Sequence, residues 1–106
     1  MILFRCDIRL VVSCVQRGKF QVSHHADQER MNDNLTIGEV EEAIIHGRIL
    51  EEYPNTGRGE SVRVAGFAAS GKPIHVVLGE GAGQPVIVTV YIPGPPKFKD
   101  VLNRSG

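Results

Sequence analysis

Four side chains able to bind an anion and to transfer protons recur at alternating positions in the second half of the sequence. They are Arg63, His75, Thr89 and Tyr91, and each lies between aliphatic neighbours in a segment that alternates with period two. Because successive strand residues point to opposite faces, the four are expected to share the face away from the aliphatic side chains. A cation, an imidazole, a hydroxyl and a phenol grouped in this way can hold a phosphate and move protons. The alternative is an ordinary half-solvated face of an antiparallel sheet.

Helical segments precede these strands. The first, residues 2–17, fits both a strand alternation and a helical stripe, and its length before Gly18 favours a helix. A second helix over residues 24–31 has Ser23 as its N-cap. A third begins at Thr36, which forms a capping box with Glu39, and ends before Gly47.

The strand segments are predicted where apolar and polar residues alternate with period two and where Gly or Pro residues mark the ends. They are residues 19–22, 49–53, 61–69, 73–78 and 85–92, with loops at 54–60 and 79–84. The last strand is the most apolar and is expected to be central. The predicted core contains Ile37, Val40, Ile44, Val62, Val76, Val88 and Val90. This order of elements predicts one α+β domain over residues 1–106, with N-terminal helices packed on one face of a four-stranded or larger antiparallel sheet.

Composition excludes several classes of function. Twelve basic and twelve acidic residues give a neutral chain, so attraction of the whole molecule to nucleic acid or to an acidic membrane is not expected. No segment approaches the ~20 apolar residues of a membrane helix. Cys6 and Cys14 form no CxxC pair, which is typical of a reducing cytoplasm. His25 and Glu29 are one helical turn apart, but no third ligand has a diagnostic spacing, so neither a metal nor another cofactor is expected.

Four ordered groups of residues resemble the family called domain of unknown function 4258. They are HADQERM with LTIGEVEEAI at residues 25–31 and 35–44, GRILEEYP at 47–54, GKPIHVV at 71–77, and VTVYIP at 88–93. The resemblance extends over about residues 20–96. It implies a RelE-like architecture and a ribonuclease toxin of a type II toxin–antitoxin pair, with an antitoxin that carries a YgiT-like zinc finger as its partner.

The resemblance also implies roles for individual residues, carried over by position in its motifs. A histidine, either His25 or His75, would deprotonate the ribose 2′-hydroxyl, and the other histidine or Tyr91 would protonate the leaving 5′-oxygen. Thr89 lies in the same motif as Tyr91, and Arg63, added from the sheet argument, would stabilise the phosphorane.

The remaining assignments concern RNA binding and the competing functions. Arg30, Lys72 and Lys97 are the candidate cations for binding the RNA substrate. The main alternative is a non-catalytic interaction module of the same fold that binds an antitoxin-like partner. A small-molecule enzyme or a metal-dependent enzyme is a further alternative.

Overall fold

A computed structural model describes residues 8–53, 61–81 and 83–93. The elements in chain order are α1 (Ile8–Gln16), β1 (Gln21–Val22), α2 (His24–Asn32), α3 (Ile37–Ile45), β2 (Arg48–Tyr53), β3 (Ser61–Phe67), β4 (Pro73–Gly81) and β5 (Gln84–Tyr91). The chain is therefore an α+β domain in which helices pack against a sheet, as the sequence predicts. None of the described helices combines the length and the apolar character needed to cross a membrane.

Local capping explains why α2 and α3 begin where they do. The Ser23 hydroxyl accepts a hydrogen bond from Ala26 N at the start of α2. Thr36 and Glu39 form the predicted capping box at the start of α3, which satisfies two of the donors that every helix N-terminus leaves unpaired. Between the two helices, Asn34 has a φ of 58° and turns the chain. Residues 2–7 of the first predicted helix lie outside the described residues.

The sheet has five strands in the order β1-β5-β4-β3-β2. The four strands from β2 to β5 form the predicted antiparallel meander, and β1 adds a short parallel pairing to β5. The expectation that β5 is central was wrong: β4 is central, and only the two-residue β1 lies beyond β5. The predicted loop at 79–84 is instead a tight hairpin, because β4 continues to Gly81 and β5 begins at Gln84.

A bulge in β5 overturns part of the predicted core. Val77 pairs with Thr89, but the next pair is Leu78 with Ile87, so Val88 is the extra residue of the bulge. Val88 is 40% exposed and Ile87 is fully buried. Because a bulge shifts the alternation by one residue, Ile87 takes the core position that the sequence pattern assigns to Val88. Of the other expected core positions, Ile37 is only partly buried.

The core lies between the helices and the aliphatic face of the sheet. Its members include Val11, Val15, Ala26, Leu35, Val40, Ala43, Ile44, Val62, Val64, Ile74, Val76, Leu78, Ile87 and Val90. The end of α3 approaches β3 closely enough to require glycine. A Cβ on Gly47 would lie 2.4 Å from Ala43 O, and a Cβ on Gly66 would lie 2.1 Å from the same oxygen. Gly47 thus allows close packing as well as ending a helix.

Side chains of α2 and of its two cap residues cover the edge of β5 beyond the short β1. The Ser23 hydroxyl donates to Val88 O, at 3.1 Å. Glu29 Oε1 accepts from Val90 N at 2.9 Å, and Asp33 Oδ2 accepts from Ile92 N at 3.4 Å. These bonds satisfy backbone groups that an uncovered edge strand would present to other chains.

Glu39 joins the β3–β4 turn to α3. Its carboxylate caps Thr36 N, accepts from the Ser70 hydroxyl, and lies 3.1 Å from Lys72 Nζ. The backbone hydrogen bond from Thr36, assisted by Lys72, lowers the pKa of Glu39 to about 2. A carboxyl group with a lowered pKa in the folded state stabilises the fold while it is ionised.

We therefore predict that Glu39 contributes to the free energy of unfolding in a pH-dependent way. This stabilisation is complete above the ordinary pKa of 4.5 and is lost as the pH falls toward about 2. Thermal unfolding of Glu39→Gln and wild type from pH 7 to pH 3 measures this. The variant is expected to melt below wild type at neutral pH, and the gap should narrow in acid. Glu41→Gln on the same helix is the control, and an equal effect of both variants would contradict the role of Glu39.

Candidate functional site

The strand register brings the polar residues of β3, β4 and β5 to the face of the sheet opposite the aliphatic core. His75 pairs with Tyr91 across β4 and β5, and Val77 pairs with both Arg63 and Thr89 on its two sides. Directly paired residues share a face. Arg63, His75, Thr89 and Tyr91 therefore all project from the second face, as the alternation of the sequence predicts.

The Arg63 guanidinium lies between two tyrosine rings. Its Cζ is 5.9 Å from the centroid of Tyr53 and 5.9 Å from the centroid of Tyr91, which is within the range of cation–π attraction. Its Nη1 is 2.9 Å from Glu51 Oε1. The side chain is only 15% exposed, so this charge lies largely out of water, where it acts more strongly on an anion than a surface lysine does.

Glu51 and Tyr53 belong to this cluster and were not among the predicted site residues. The Tyr53 hydroxyl donates to Glu51 Oε1 at 2.9 Å, and the same oxygen accepts from Arg63. A register shift between Ile49 and Glu51 places Ile49 opposite Val64 on the core face and Glu51 opposite Arg63 on the other. The alternation of Glu51 and Tyr53 was visible in the sequence, but the register of β2 on β3 was not.

His75 and Tyr91 form the second half of the cluster. His75 Nδ1 and Tyr91 Oη are 3.2 Å apart, and the rings meet edge to face with centroids 5.3 Å apart. His75 is fully buried, whereas Tyr91 is half-buried. Tyr91 therefore links the Arg63 guanidinium to the enclosed imidazole. We name Glu51, Tyr53, Arg63, His75 and Tyr91 the tyrosine–arginine cluster.

His25 lies on α2 at the edge of β5, outside this cluster. Its Nε2 is 3.2 Å from Glu29 Oε2, and its side chain is 69% exposed. Glu29 in turn accepts the Val90 N–H through its other oxygen. His25 is thus tied to the strand edge, while His75 is in the central strand. Thr89 shares the second face with the cluster and is half-buried.

The candidate RNA-binding cations Arg30 and Lys72 make structural contacts. Arg30 Nε is 2.8 Å from Asp27 Oδ1, and its Nη1 donates to Leu35 O at 3.1 Å, which fastens the end of α2. Lys72 Nζ contacts Glu39 and donates to Asn34 O. These contacts stabilise connections between elements. Lys97 lies outside the described residues.

A scan against protein-family models matches residues 22–92 to the domain of unknown function DUF4258. This match spans more than half of the chain. The chain belongs to the DUF4258 family. Comparison with curated proteins and with solved structures gave no significant match.

The span of the DUF4258 match includes the whole tyrosine–arginine cluster and excludes α1. No group of three or more metal-ligating side chains occurs among the described residues of this DUF4258 domain. The tyrosine–arginine cluster offers a guanidinium, a carboxylate and a phenol–imidazole pair. Such groups bind an oxyanion, accept a proton and donate a proton.

Proposed function

We propose that this DUF4258 domain is a metal-independent RNA endonuclease and acts as the toxin of a type II toxin–antitoxin pair with a RelE-like fold. The observation that carries the proposal is the tyrosine–arginine cluster, in which a largely buried cation adjoins a carboxylate and a hydrogen-bonded phenol–imidazole pair. RNA cleavage without a metal needs these elements: a cation for the phosphorane, a proton acceptor and a proton donor.

Arg63 is the group that receives the scissile phosphate. A guanidinium binds phosphate through parallel N–H bonds, and these are strongest where water is excluded. In the structure, Arg63 Nη1 donates to the Glu51 carboxylate. An incoming phosphodiester competes with this carboxylate, and the displaced Glu51 becomes a proton acceptor beside the ribose. The sequence assigned the general base to His25 or His75. Glu51 takes that role in this proposal, because His25 contacts Glu29 on α2 and His75 is fully buried.

The reaction requires the ribose 2′-hydroxyl to lose a proton and the leaving 5′-oxygen to gain one. Glu51 takes the proton of the 2′-hydroxyl, the 2′-oxygen attacks phosphorus, and the bond from phosphorus to the 5′-oxygen breaks, leaving a 2′,3′-cyclic phosphate. Tyr91, which keeps exposed surface, gives a proton to the leaving 5′-oxygen, and a protonated His75 imidazole restores it through their hydrogen bond. Within this pair Tyr91 contacts the RNA, and the fully buried His75 acts through it. After the products leave, Glu51 releases its proton to solvent, and a solvent proton returns to His75 through Tyr91, so that both groups regain their starting state.

The cellular setting belongs to the same proposal and is supported by the sequence resemblance. The domain acts in the cytoplasm, and a cognate antitoxin with a YgiT-like zinc finger holds it inactive.

The two tyrosines beside Arg63 contribute to RNA binding in the same proposal. Their rings offer flat faces on which unpaired bases stack, and stacking is the usual means of holding single-stranded RNA.

A second candidate function is a non-catalytic interaction module that binds the antitoxin-like partner. The complete burial of His75 and the ion pair of Arg63 with Glu51 favour it, because both also stabilise a folded sheet face. In that case the tyrosine–arginine cluster is a structural network. Substituting its residues changes the stability of the fold, and no RNA-cleaving activity exists to be lost.

Substitution of Arg63 distinguishes the two functions. We expect purified Arg63→Gln to cleave a mixed-sequence RNA about 10²-fold more slowly than wild type, the cost of removing one transition-state donor. Arg63→Lys should recover little, because lysine lacks the planar fork. Arg17→Gln, at an exposed arginine after α1 and outside the proposed RNA site, is the control for net charge and should cleave normally. If the folded Arg63→Gln protein cleaves as fast as wild type, the endonuclease proposal fails.

A further inference from the structure

A pocket of about 340 Å³ lies on the helix-covered side of the sheet, away from the tyrosine–arginine cluster. It is formed by the second half of α1, the turn after it and the tip of the β4–β5 hairpin. Leu10 and Cys14 line it from α1, Arg17 and Lys19 from the turn, and Gln84 from the hairpin. This volume is at the lower end of the range for pockets that bind small molecules.

The backbone fixes the two cations at this pocket. Lys19 N donates to Cys14 O at 2.8 Å and Gly18 N donates to Val15 O at 3.0 Å, the paired bonds that close a helix C-terminus. Gly18 has the positive φ of 72° that this closure requires. The turn therefore holds Arg17 and Lys19 on either side of a defined bend instead of on a variable loop.

The charged residues that line the pocket, among those the structure describes, are all cations. Within the described part of the chain, neither Arg17 nor Lys19 forms an ion pair, and no acidic residue lines the pocket. Arg30, Arg63 and Lys72, in contrast, are each paired with a carboxylate. In a chain with no net charge, two unpaired cations at one concavity create a local positive potential that attracts an anion.

We propose that this pocket binds a small organic anion, with its acidic group at Arg17 and Lys19 and its apolar body against Leu10. The apolar share of the lining suits a ligand with a hydrocarbon or aromatic part better than a bare inorganic ion. Four of the lining residues named above lie at positions 10–19, before the stretch that matches the DUF4258 family, and Gln84 lies within it. The site does not depend on RNA cleavage.

The test compares two fluorescent probes that differ in one group. The probes are 8-anilinonaphthalene-1-sulfonate and its uncharged parent N-phenyl-1-naphthylamine, titrated into the full chain with Cys6→Ser. We expect saturable one-to-one binding of the sulfonate, and weaker binding of the parent. Bound sulfonate should also slow alkylation of Cys14 by iodoacetamide, because Cys14 lies in the pocket wall.

Variants connect that binding to the two cations. Arg17→Gln combined with Lys19→Gln should weaken the sulfonate roughly tenfold and leave the parent unchanged, since two partly hydrated ion pairs are lost. Both residues are exposed, so the fold should be retained. Arg48→Glu, which changes the net charge by the same two units at an exposed position on β2, is the control and should bind both probes as wild type does. Equal sulfonate affinity in the double variant, or unchanged Cys14 alkylation at saturating sulfonate, would overturn the proposal.

Discussion

His75→Gln should reduce the rate of RNA cleavage by about 10²- to 10⁴-fold, the usual effect of removing a group that exchanges protons in the reaction. Glutamine is close to histidine in size and can hydrogen-bond to Tyr91, but it cannot take up and release a proton near neutral pH. The buried site is thus kept filled while the proton supply to Tyr91 is removed. Cleavage and thermal unfolding are measured on the same preparation.

His75→Ala provides the complementary variant. Because His75 is fully buried, alanine leaves a cavity and is expected to lower the free energy of unfolding as well as the rate. Both variants should abolish growth inhibition and retain binding to the partner. If His75→Gln is folded and cleaves RNA at the wild-type rate, His75 has no part in the mechanism and its role is packing alone.

Gly66→Ala is expected to have the largest effect on stability. The added Cβ would lie 2.1 Å from Ala43 O and close to Gly47 Cα, so backbone and not a flexible side chain must move. Separating α3 from β3 opens the core at its centre. Overpacking costs about 1–3 kcal/mol and occasionally more. The upper end is expected here because backbone atoms clash, and about 3 kcal/mol is a large part of the stability of a small domain. The melting temperature should fall by roughly 15 °C.

Gly38→Ala is the matched control for that experiment. Gly38 lies in α3 on an exposed position, and a Cβ there would meet only Thr36 Oγ1, at 3.7 Å. Alanine is favoured over glycine within a helix by up to about 1 kcal/mol, so this variant should melt at or above the wild-type temperature. A Gly66→Ala protein as stable as wild type would contradict the close packing of α3 on β3.

The features that the sequence predicted best are determined by neighbouring residues. The caps at Ser23 and Thr36 were found because their hydrogen bonds reach only three residues along the chain. The antiparallel meander was found because its strand segments follow one another along the chain with no helical segment between them. The common face of Arg63 and His75 was found because alternation within each strand is also local.

The features that it missed depend on contacts between distant segments. The bulge at Val88 and the register shift after Ile49 are visible only when β5 pairs with β4 and β2 with β3. Two features of the tyrosine–arginine cluster also depend on contacts between distant segments. Glu51 joined it through the register of β2, and the full burial of His75 follows from packing that no periodicity encodes.

The most direct test of the central claim is the chemistry of the cleavage products. Purified chain is incubated with an RNA oligonucleotide in EDTA, and in parallel with the same oligonucleotide carrying 2′-deoxy sugars throughout. We predict cleavage of the RNA only, with 2′,3′-cyclic phosphate and 5′-hydroxyl ends, because the attacking group is the ribose 2′-hydroxyl and no metal takes part. Intact RNA after incubation with folded wild-type chain freed of any partner, or products with 5′-phosphate ends, would contradict the account.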